Sequence, residues 1–166
     1  MNRIGVIGSG ISTGLIFVAV WIAGIAQDLP AQDLTRHRDF PMISAHRGAS
    51  GVAPENTLIA FSRAMELGAD FIEVDVRSTA DGAQIIMHDG SLKRTTGLDA
   101  KVDRTVLAEI KKLSAGAWFG IHYQDQEVPT LEEVCELVKR GNMSRYRQVK
   151  LYVDCKDIDA GEVVRI

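Results

Sequence analysis

The segment FIEVDV, residues 71–76, places two carboxylates on one face of a predicted strand and apolar side chains on the other. Side chains two residues apart on a strand point the same way and lie roughly 6.5–7 Å apart along its axis. Glu73 and Asp75 therefore share a face, and two inward acids repel each other unless a cation lies between them. Because Ile72, Val74 and Val76 occupy the other face, we favour a core strand with a divalent-cation site over an exposed, solvated acid pair.

Three further apolar runs predict strands on either side of this segment. They are residues 42–45, which we expect to form a buried strand, residues 85–87 and residues 149–153. Only about eight residues separate Val76 from Ile85, which is short for a parallel crossover. These two strands are therefore joined by an extended loop or pair as a hairpin.

Helical spacing predicts three helices: one from an N-cap at Asn56 to Gly68, a short one at 105–113, and one from a capping box of Thr130 and Glu133 to residues 139–141. Residues 91–129 are otherwise less periodic, and we interpret them as an insertion. Strands that alternate with helices favour an α/β fold with a parallel sheet.

Titratable side chains follow the predicted strands at the ends where α/β folds carry their sites. His46 ends the first strand, and His88 ends the third. Imidazole is the usual general acid or base near neutral pH. A single histidine is more often structural, but two at the ends of neighbouring strands, beside a carboxylate cluster, favour a catalytic pair.

Charged residues near these histidines suit an anionic substrate bound beside a metal ion. Arg47 offers a planar set of donors for a phosphate or carboxylate, and Glu55 could orient that guanidinium or reach the outer shell of the metal. At the end of the fourth strand, Asp154 supplies a third carboxylate and Lys156 a second cation. A metal site, an acid, a base and two cations together imply phosphoryl chemistry.

A series of short motifs occurs in order along the chain. They are HRG (46–48), PENT (54–57), EVDV (73–76), TADG (79–82), HD (88–89), RTTG (94–97), PTLEE (129–133) and DCK (154–156). In composition, order and spacing these motifs resemble the glycerophosphodiester phosphodiesterase family. The resemblance covers about residues 42–157.

The resemblance implies a TIM-type (β/α) barrel that hydrolyses small-molecule glycerophosphodiesters to glycerol 3-phosphate and an alcohol, in glycerophospholipid metabolism. It also implies one divalent cation, Ca²⁺ or Mg²⁺, held by Glu73, Asp75 and Asp154. A hydroxyl of the glycerol is an alternative first nucleophile, as in the related phosphoinositide-specific phospholipases.

The resemblance also assigns roles to four other residues. His46 and His88 would form the acid/base pair, while Arg47 and Lys156 would bind the phosphate. In one respect the chain departs from the family, because Asp154 stands where a Glu is usual. The side chain is shorter by one methylene, which we expect to loosen or reposition the metal.

The length of the chain also departs from the family pattern. A (β/α)₈ barrel takes roughly 250 residues, and residues 40–166 supply about half of that. We therefore expect only strands 1–4 of the barrel, with an unclosed sheet. The remaining half would come from a longer protein or from a partner such as a second copy.

Two other functions compete with the phosphodiesterase hypothesis. One is a catalytically incompetent fragment that still binds phosphate and metal, and the other is a phospholipase that acts on related lipid head groups. Nucleic acid is excluded as a partner, because the net charge is −3 and the chain has no run rich in Lys and Arg.

The first 26 residues are predicted to lie outside the fold. Residues 4–26 carry no charged side chain and follow a lone Arg3, which is typical of a signal peptide, here cleaved after Ala26, or of an uncleaved membrane anchor. Residues 27–39 are polar and predict a linker, so that the phosphodiesterase domain spans 40–166. Either alternative places this domain outside the cytoplasm, as a secreted, periplasmic or outward-facing anchored protein.

The chain has two cysteines, Cys135 and Cys155, which we predict to be free thiols. Two cysteines alone are too few for a disulfide framework or a Cys-based zinc site. Mass spectrometry of the unreduced protein tests the prediction, since its mass should not change on reduction. A gain of two hydrogens would show a bridge instead.

Overall fold

The computed structural model describes residues 41–143, 148–156 and 158. The predicted export segment and linker lie outside these ranges. Within the ranges, no helix is both long and apolar enough to cross a lipid bilayer.

Four strands form one sheet around β2, Phe71–Ser78, which contains the FIEVDV segment. β1 (Ser44–Ala45) and β4 (Lys150–Cys155) pair with β2 in parallel, and β3 (Gln84–Ile86) pairs with it antiparallel. β4 pairs along residues 71–76 of β2, so β1 and β3 share the opposite edge of that strand. The hairpin alternative for residues 71–87 is therefore the correct one, and the expected four parallel barrel strands reduce to three among the described residues.

The apolar face of β2 packs against two helices. α1 (Leu58–Glu66) follows β1, and α4 (Leu131–Met143) precedes β4, so helices connect the parallel strands. The buried cluster between them contains Phe61 and Met65 of α1, Val74 of β2, and Val134 and Val138 of α4. This packing leaves the opposite face of β2, with its acidic residues, to form the site.

The expected burial of residues 42–45 is wrong. Met42 and Ile43 are 60% and 61% exposed, and β1 is only two residues long. The backbone is nevertheless fixed, because Ile43 N donates to Asp70 Oδ2 at 2.8 Å and its carbonyl accepts from Phe71 N at 3.0 Å. In the described part of the chain, β1 pairs only with β2, and no element covers the side chains of Met42 and Ile43 just before it.

The predicted N-cap of α1 is wrong by one residue. Thr57 is the cap, and its hydroxyl accepts from Ala60 N at 3.3 Å. Asn56 adopts a left-handed backbone conformation with φ 56° and turns its side chain toward β2. Asn and Thr are both good caps, and a tertiary contact decides between them here.

The capping box at the start of α4 is confirmed. Glu133 N donates to Thr130 Oγ1 at 3.2 Å, and Thr130 N donates to Glu133 Oε2 at 2.8 Å. The predicted end at residues 139–141 is wrong, since α4 continues to Met143. Gly141 lies within α4, where its lack of a side chain makes room for Met65 of α1.

Residues 91–129, which we interpret as an insertion, contribute most of a second apolar cluster. Its buried side chains include Leu92, Val102, Ile110 and Val128, which pack with Ile85 of β3. The short helix predicted at 105–113 shrinks to α3, Leu107–Ile110, with a preceding short helix α2 at Lys93–Thr96. α3 begins at Leu107 because Asp81, in the β2–β3 turn, accepts from its N–H at 3.0 Å.

Gly48, in the loop after β1, permits a close approach to α1. Its φ is 81°, and a Cβ there would lie 2.8 Å from the backbone carbon of Ala60. The next residue confirms how tightly the two segments pack, because Ala49 N donates to Ala60 O at 3.0 Å.

We expect Gly48→Ala to lower the free energy of unfolding by about 2–4 kcal/mol, because it adds both backbone strain and a steric clash. Urea denaturation of the full chain measures the change. Gly51→Ala is the matched control, since Gly51 lies in the same loop and a Cβ there meets nothing within 4 Å. Equal losses in the two variants would contradict the packing argument.

Candidate active site

β2 and β4 bring three carboxylates together. Their register pairs Asp75 with Asp154 and Glu73 with Tyr152, so all four side chains lie on one face. One carboxylate oxygen from each of Glu73, Asp75 and Asp154 lies within 4.8 Å of the others. Asp75 is only 1% exposed, whereas Asp154 is partly accessible. The structure thus assembles the three predicted metal ligands.

The chemistry of this cluster fits a hard divalent cation. Asp75 Oδ1 is buried, and no donor among the described residues forms a hydrogen bond to it. Lys156 Nζ lies 3.0 Å from it, as an ion pair whose angles fall short of a hydrogen bond, and 2.6 Å from Asp154 Oδ2. The hydrogen bond to Asp154 raises the pKa of Lys156. Carboxylate oxygens are the ligands that Ca²⁺ and Mg²⁺ prefer, so these residues could hold such an ion.

Arg47 contacts the acids with both its backbone and its side chain. Its φ of 56° turns its N–H toward Glu73 Oε2, at 2.7 Å. Its guanidinium lies 3.4 Å (Nε) from Asp75 Oδ2 and donates from Nη1 to Glu55 Oε1 at 3.0 Å. Glu55 is therefore placed to orient the Arg47 side chain.

Burial dominates the protonation of Glu73. Loss of solvent raises the pKa of this carboxyl, and the negative charge of Asp75 raises it further, although the Arg47 N–H opposes both effects. Such a carboxyl is more easily ionised when a cation is close. The raised pKa of Glu73 and the oxygen ligands of the cluster are therefore both consistent with a cation site.

Asn56 is a site residue for which the sequence analysis assigned no role beyond capping. Its Nδ2 donates to Asp75 Oδ2 at 2.7 Å, and its backbone N–H donates to Arg47 O at 3.0 Å. Asn tolerates the left-handed conformation better than most residues. The sequence offers one signal of this role. Asn56 and Thr57 are both good N-cap residues, but only one of them can cap α1, so the other is available for a tertiary contact.

The two predicted histidines lie on separate loops. His46 is exposed and borders a depression of about 360 Å³ that also contains Glu73. His88 is half-buried, and its Nδ1 lies 2.7 Å from Asp89 Oδ1. The main chain at His88 is held by Arg77, whose Nε and Nη2 donate to the His88 carbonyl at 3.0 and 2.7 Å.

Asp89 and Arg94 also belong to the site, although the sequence analysis included them only as motif residues. Arg94 Nε donates to Asp89 Oδ2 at 2.7 Å, and Arg94 Nη1 donates to Glu55 Oε2 at 2.9 Å. The hydrogen bond from Arg94 lowers the pKa of Asp89 to about 2. Since Arg94 lies on α2, the insertion contributes a side chain to the site.

Comparison with known proteins identifies relatives by sequence. The model of the glycerophosphoryl diester phosphodiesterase family matches residues 46–166. A glycerophosphodiester phosphodiesterase of Caldanaerobacter subterraneus subsp. tengcongensis is 50% identical over 97 residues, which cover 58% of this chain and 40% of that protein. A glycerophosphodiester phosphodiesterase of Bacillus subtilis is 42% identical over 123 residues, which cover 69% of this chain and 40% of that protein. The chain thus spans about 40% of the length of these curated relatives.

Solved structures agree with the sequence relatives. The crystal structure of the glycerophosphodiester phosphodiesterase from Agrobacterium tumefaciens matches with a TM-score of 0.69 and 36% identity, over 76% of this chain and 52% of that one. A phosphodiesterase from Oleispira antarctica, in complex with the product sn-glycerol-3-phosphate, matches with a TM-score of 0.64 and 40% identity, over 70% and 44%.

These matches confirm the resemblance carried by the sequence motifs. They also confirm the TIM-barrel class, of which the described residues form an open portion with three parallel strands. The chain belongs to the glycerophosphoryl diester phosphodiesterase family.

Proposed function

We propose that this chain carries the active site of a metal-dependent phosphodiesterase, which hydrolyses glycerophosphodiesters to glycerol 3-phosphate and an alcohol. The observation that carries the proposal is the cluster of Glu73, Asp75 and Asp154, with Arg47 and Lys156 against it. The names of the matched relatives support the reaction, and the product bound to the Oleispira antarctica enzyme supports the substrate class.

Glu73, Asp75 and Asp154 would hold one divalent cation, Ca²⁺ or Mg²⁺. When bound, such an ion supplies positive charge that stabilises the charge developing on phosphoryl oxygens. Arg47 and Lys156 both contact Asp75. A phosphate bound at the cluster would therefore lie within reach of both cations, which suit phosphate oxygens through charge-assisted hydrogen bonds.

His46 and His88 would move the protons. Hydrolysis breaks the P–O bond to the leaving alcohol and forms a P–O bond to the attacking oxygen, whose proton would pass to one imidazole. Where the attacking oxygen is a hydroxyl of the glycerol, the cyclic phosphate formed first would be opened by water in a second step. The leaving alcohol oxygen takes a proton from the other imidazole. His88 contacts Asp89 through Nδ1, which leaves Nε2 for proton transfer.

We also propose that the reaction takes place outside the cytoplasm. The support is the uncharged stretch at residues 4–26, preceded by a positive charge. Attachment to a membrane through this stretch is part of the same proposal.

We expect the full chain to release glycerol 3-phosphate from glycerophosphocholine only when Ca²⁺ or Mg²⁺ is present. His46→Ala should lower the rate by at least about 100-fold, because a general acid or base is worth roughly 10²–10⁴-fold. A coupled assay for glycerol 3-phosphate measures the rate. His122→Ala is the matched control, since His122 is exposed on the insertion and should keep the wild-type rate.

A folded, soluble chain that releases no glycerol 3-phosphate with either metal would contradict this proposal. Calorimetric binding of the metal without turnover would then favour the alternative of a phosphate- and metal-binding fragment. Release of head groups from phospholipids in its place would favour the phospholipase alternative.

We expect Asp75→Asn to weaken metal binding by at least about 10-fold, because it removes the charge of the most buried ligand. Asp154→Glu should bind the metal more tightly, since it restores the longer side chain usual in the family. Isothermal titration calorimetry with each metal alone measures both changes without any assay of activity. Asp99→Asn is the control, because Asp99 is exposed and pairs with Lys93. Unchanged affinity in Asp75→Asn would place the ion elsewhere.

A further inference from the structure

Arg94 lies on α2 of the insertion, outside the acid cluster, yet it contacts residues of both loops that carry the histidines. Its Nη1 and Nη2 donate to the two oxygens of Glu55 at 2.9 and 2.7 Å. Its Nε and Nη2 donate to the two oxygens of Asp89 at 2.7 and 3.2 Å. One guanidinium thus binds two carboxylates, each in the bidentate geometry that only arginine provides.

Each of these carboxylates also contacts a residue to which we assign a role in the proposed reaction. Glu55 Oε1 also accepts from Arg47 Nη1 at 3.0 Å. Asp89 Oδ1 also lies 2.7 Å from His88 Nδ1. An unbroken chain of contacts therefore runs from Arg47 through Glu55, Arg94 and Asp89 to His88.

The ionisation of Asp89 determines which tautomer of His88 fits this chain. The hydrogen bond from Arg94 lowers the pKa of Asp89 to about 2, so the carboxylate is ionised at neutral pH and acts only as an acceptor. His88 Nδ1 must then carry the hydrogen, and Nε2 of the neutral ring keeps its lone pair. The same arginine lowers the pKa of Glu55, which makes that residue a permanent acceptor for Arg47.

We propose that Arg94 is a positioning residue, which holds Glu55 and Asp89 in place and through them fixes the Arg47 guanidinium and the Nδ1–H form of His88. The inference rests on the proposed phosphodiesterase function of the site. Asp89 is partly exposed, so without Arg94 its carboxylate is free to turn into solvent. The insertion is then a functional part of the site, because it supplies the residue that connects the two loops.

The first test measures the tautomer of His88 and needs no activity. Side-chain ¹⁵N NMR of the full chain at neutral pH should show His88 in the Nδ1–H form, with its signals assigned by His88→Gln. Arg94→Met and Arg94→Lys should both shift these signals toward a mixture of tautomers, since lysine keeps the charge but lacks the planar fork. Lys93→Met is the matched control on the same helix, because the Lys93 side chain pairs with exposed Asp99 and, among the described residues, with no residue of the site.

The second test measures turnover of glycerophosphocholine. Both Arg94 variants should lower kcat by about 10–100-fold, the size of effect expected when reacting groups are misplaced by about 1 Å. In an Asp89→Asn background, Arg94→Met should lower kcat by a smaller factor than in the wild-type chain, because only its effect through Glu55 and Arg47 then remains. Lys93→Met should keep the wild-type kcat.

Unchanged His88 signals in Arg94→Met would overturn the proposal, and so would wild-type turnover in Arg94→Lys, since charge alone would then suffice. If the wild-type chain itself does not release glycerol 3-phosphate, the proposed function fails. The NMR comparison still decides in that case whether Arg94 fixes His88.

Discussion

The site is built around one buried negative charge, the carboxylate of Asp75 in the centre of the sheet. A buried ion is costly unless other groups compensate its charge and bind its oxygens. Asn56 donates to one oxygen, and Arg47 and Lys156 bring positive charge within 3.4 and 3.0 Å. Since Arg47 and Asn56 come from the loop after β1 and Lys156 from the end of β4, compensation of Asp75 draws two separate segments to the same face of β2.

This requirement accounts for the unusual backbone of the loop after β1. Arg47 and Asn56 both have φ near 56°, where residues other than glycine are uncommon. These conformations direct the Arg47 N–H to Glu73 and the Asn56 side chain to Asp75. Gly48 lets the same loop pack against α1. Contacts to buried acids and close packing thus stabilise a local geometry that the loop sequence would not adopt alone.

Local patterns predicted the parts of the molecule that local physics controls. The alternation at residues 71–76 predicted β2 with its acidic face, and the capping box predicted the start of α4. Long-range contacts controlled the rest. The exposure of Met42 and Ile43 depends on which elements cover them, and the close packing of Met65 against α4 depends on the glycine at residue 141.

The contrast between local patterns and long-range contacts also explains which site residues the sequence predicts and which it does not. Glu73 and Asp75 lie within β2 and the histidines follow strands, so the periodicity located all four residues. Arg94 follows no strand, and the two carboxylates that it binds lie 39 and 5 residues away in sequence. Such ion pairs leave no periodic signal, and only the folded chain reveals them.

The balance of charge in the assembled site supports the proposed substrate. Its acids are Glu55, Glu73, Asp75, Asp89 and Asp154, and its cations are Arg47, Arg77, Arg94 and Lys156. With every group ionised, these side chains carry a net charge of −1, which repels an anionic phosphodiester. A divalent cation at the cluster reverses the sign to +1, which matches the single negative charge of a diester. Metal and substrate binding would therefore be coupled by electrostatics. Arg47 and Arg94 together offset the charges of the two outer carboxylates, Glu55 and Asp89, so that the inner three remain for the metal.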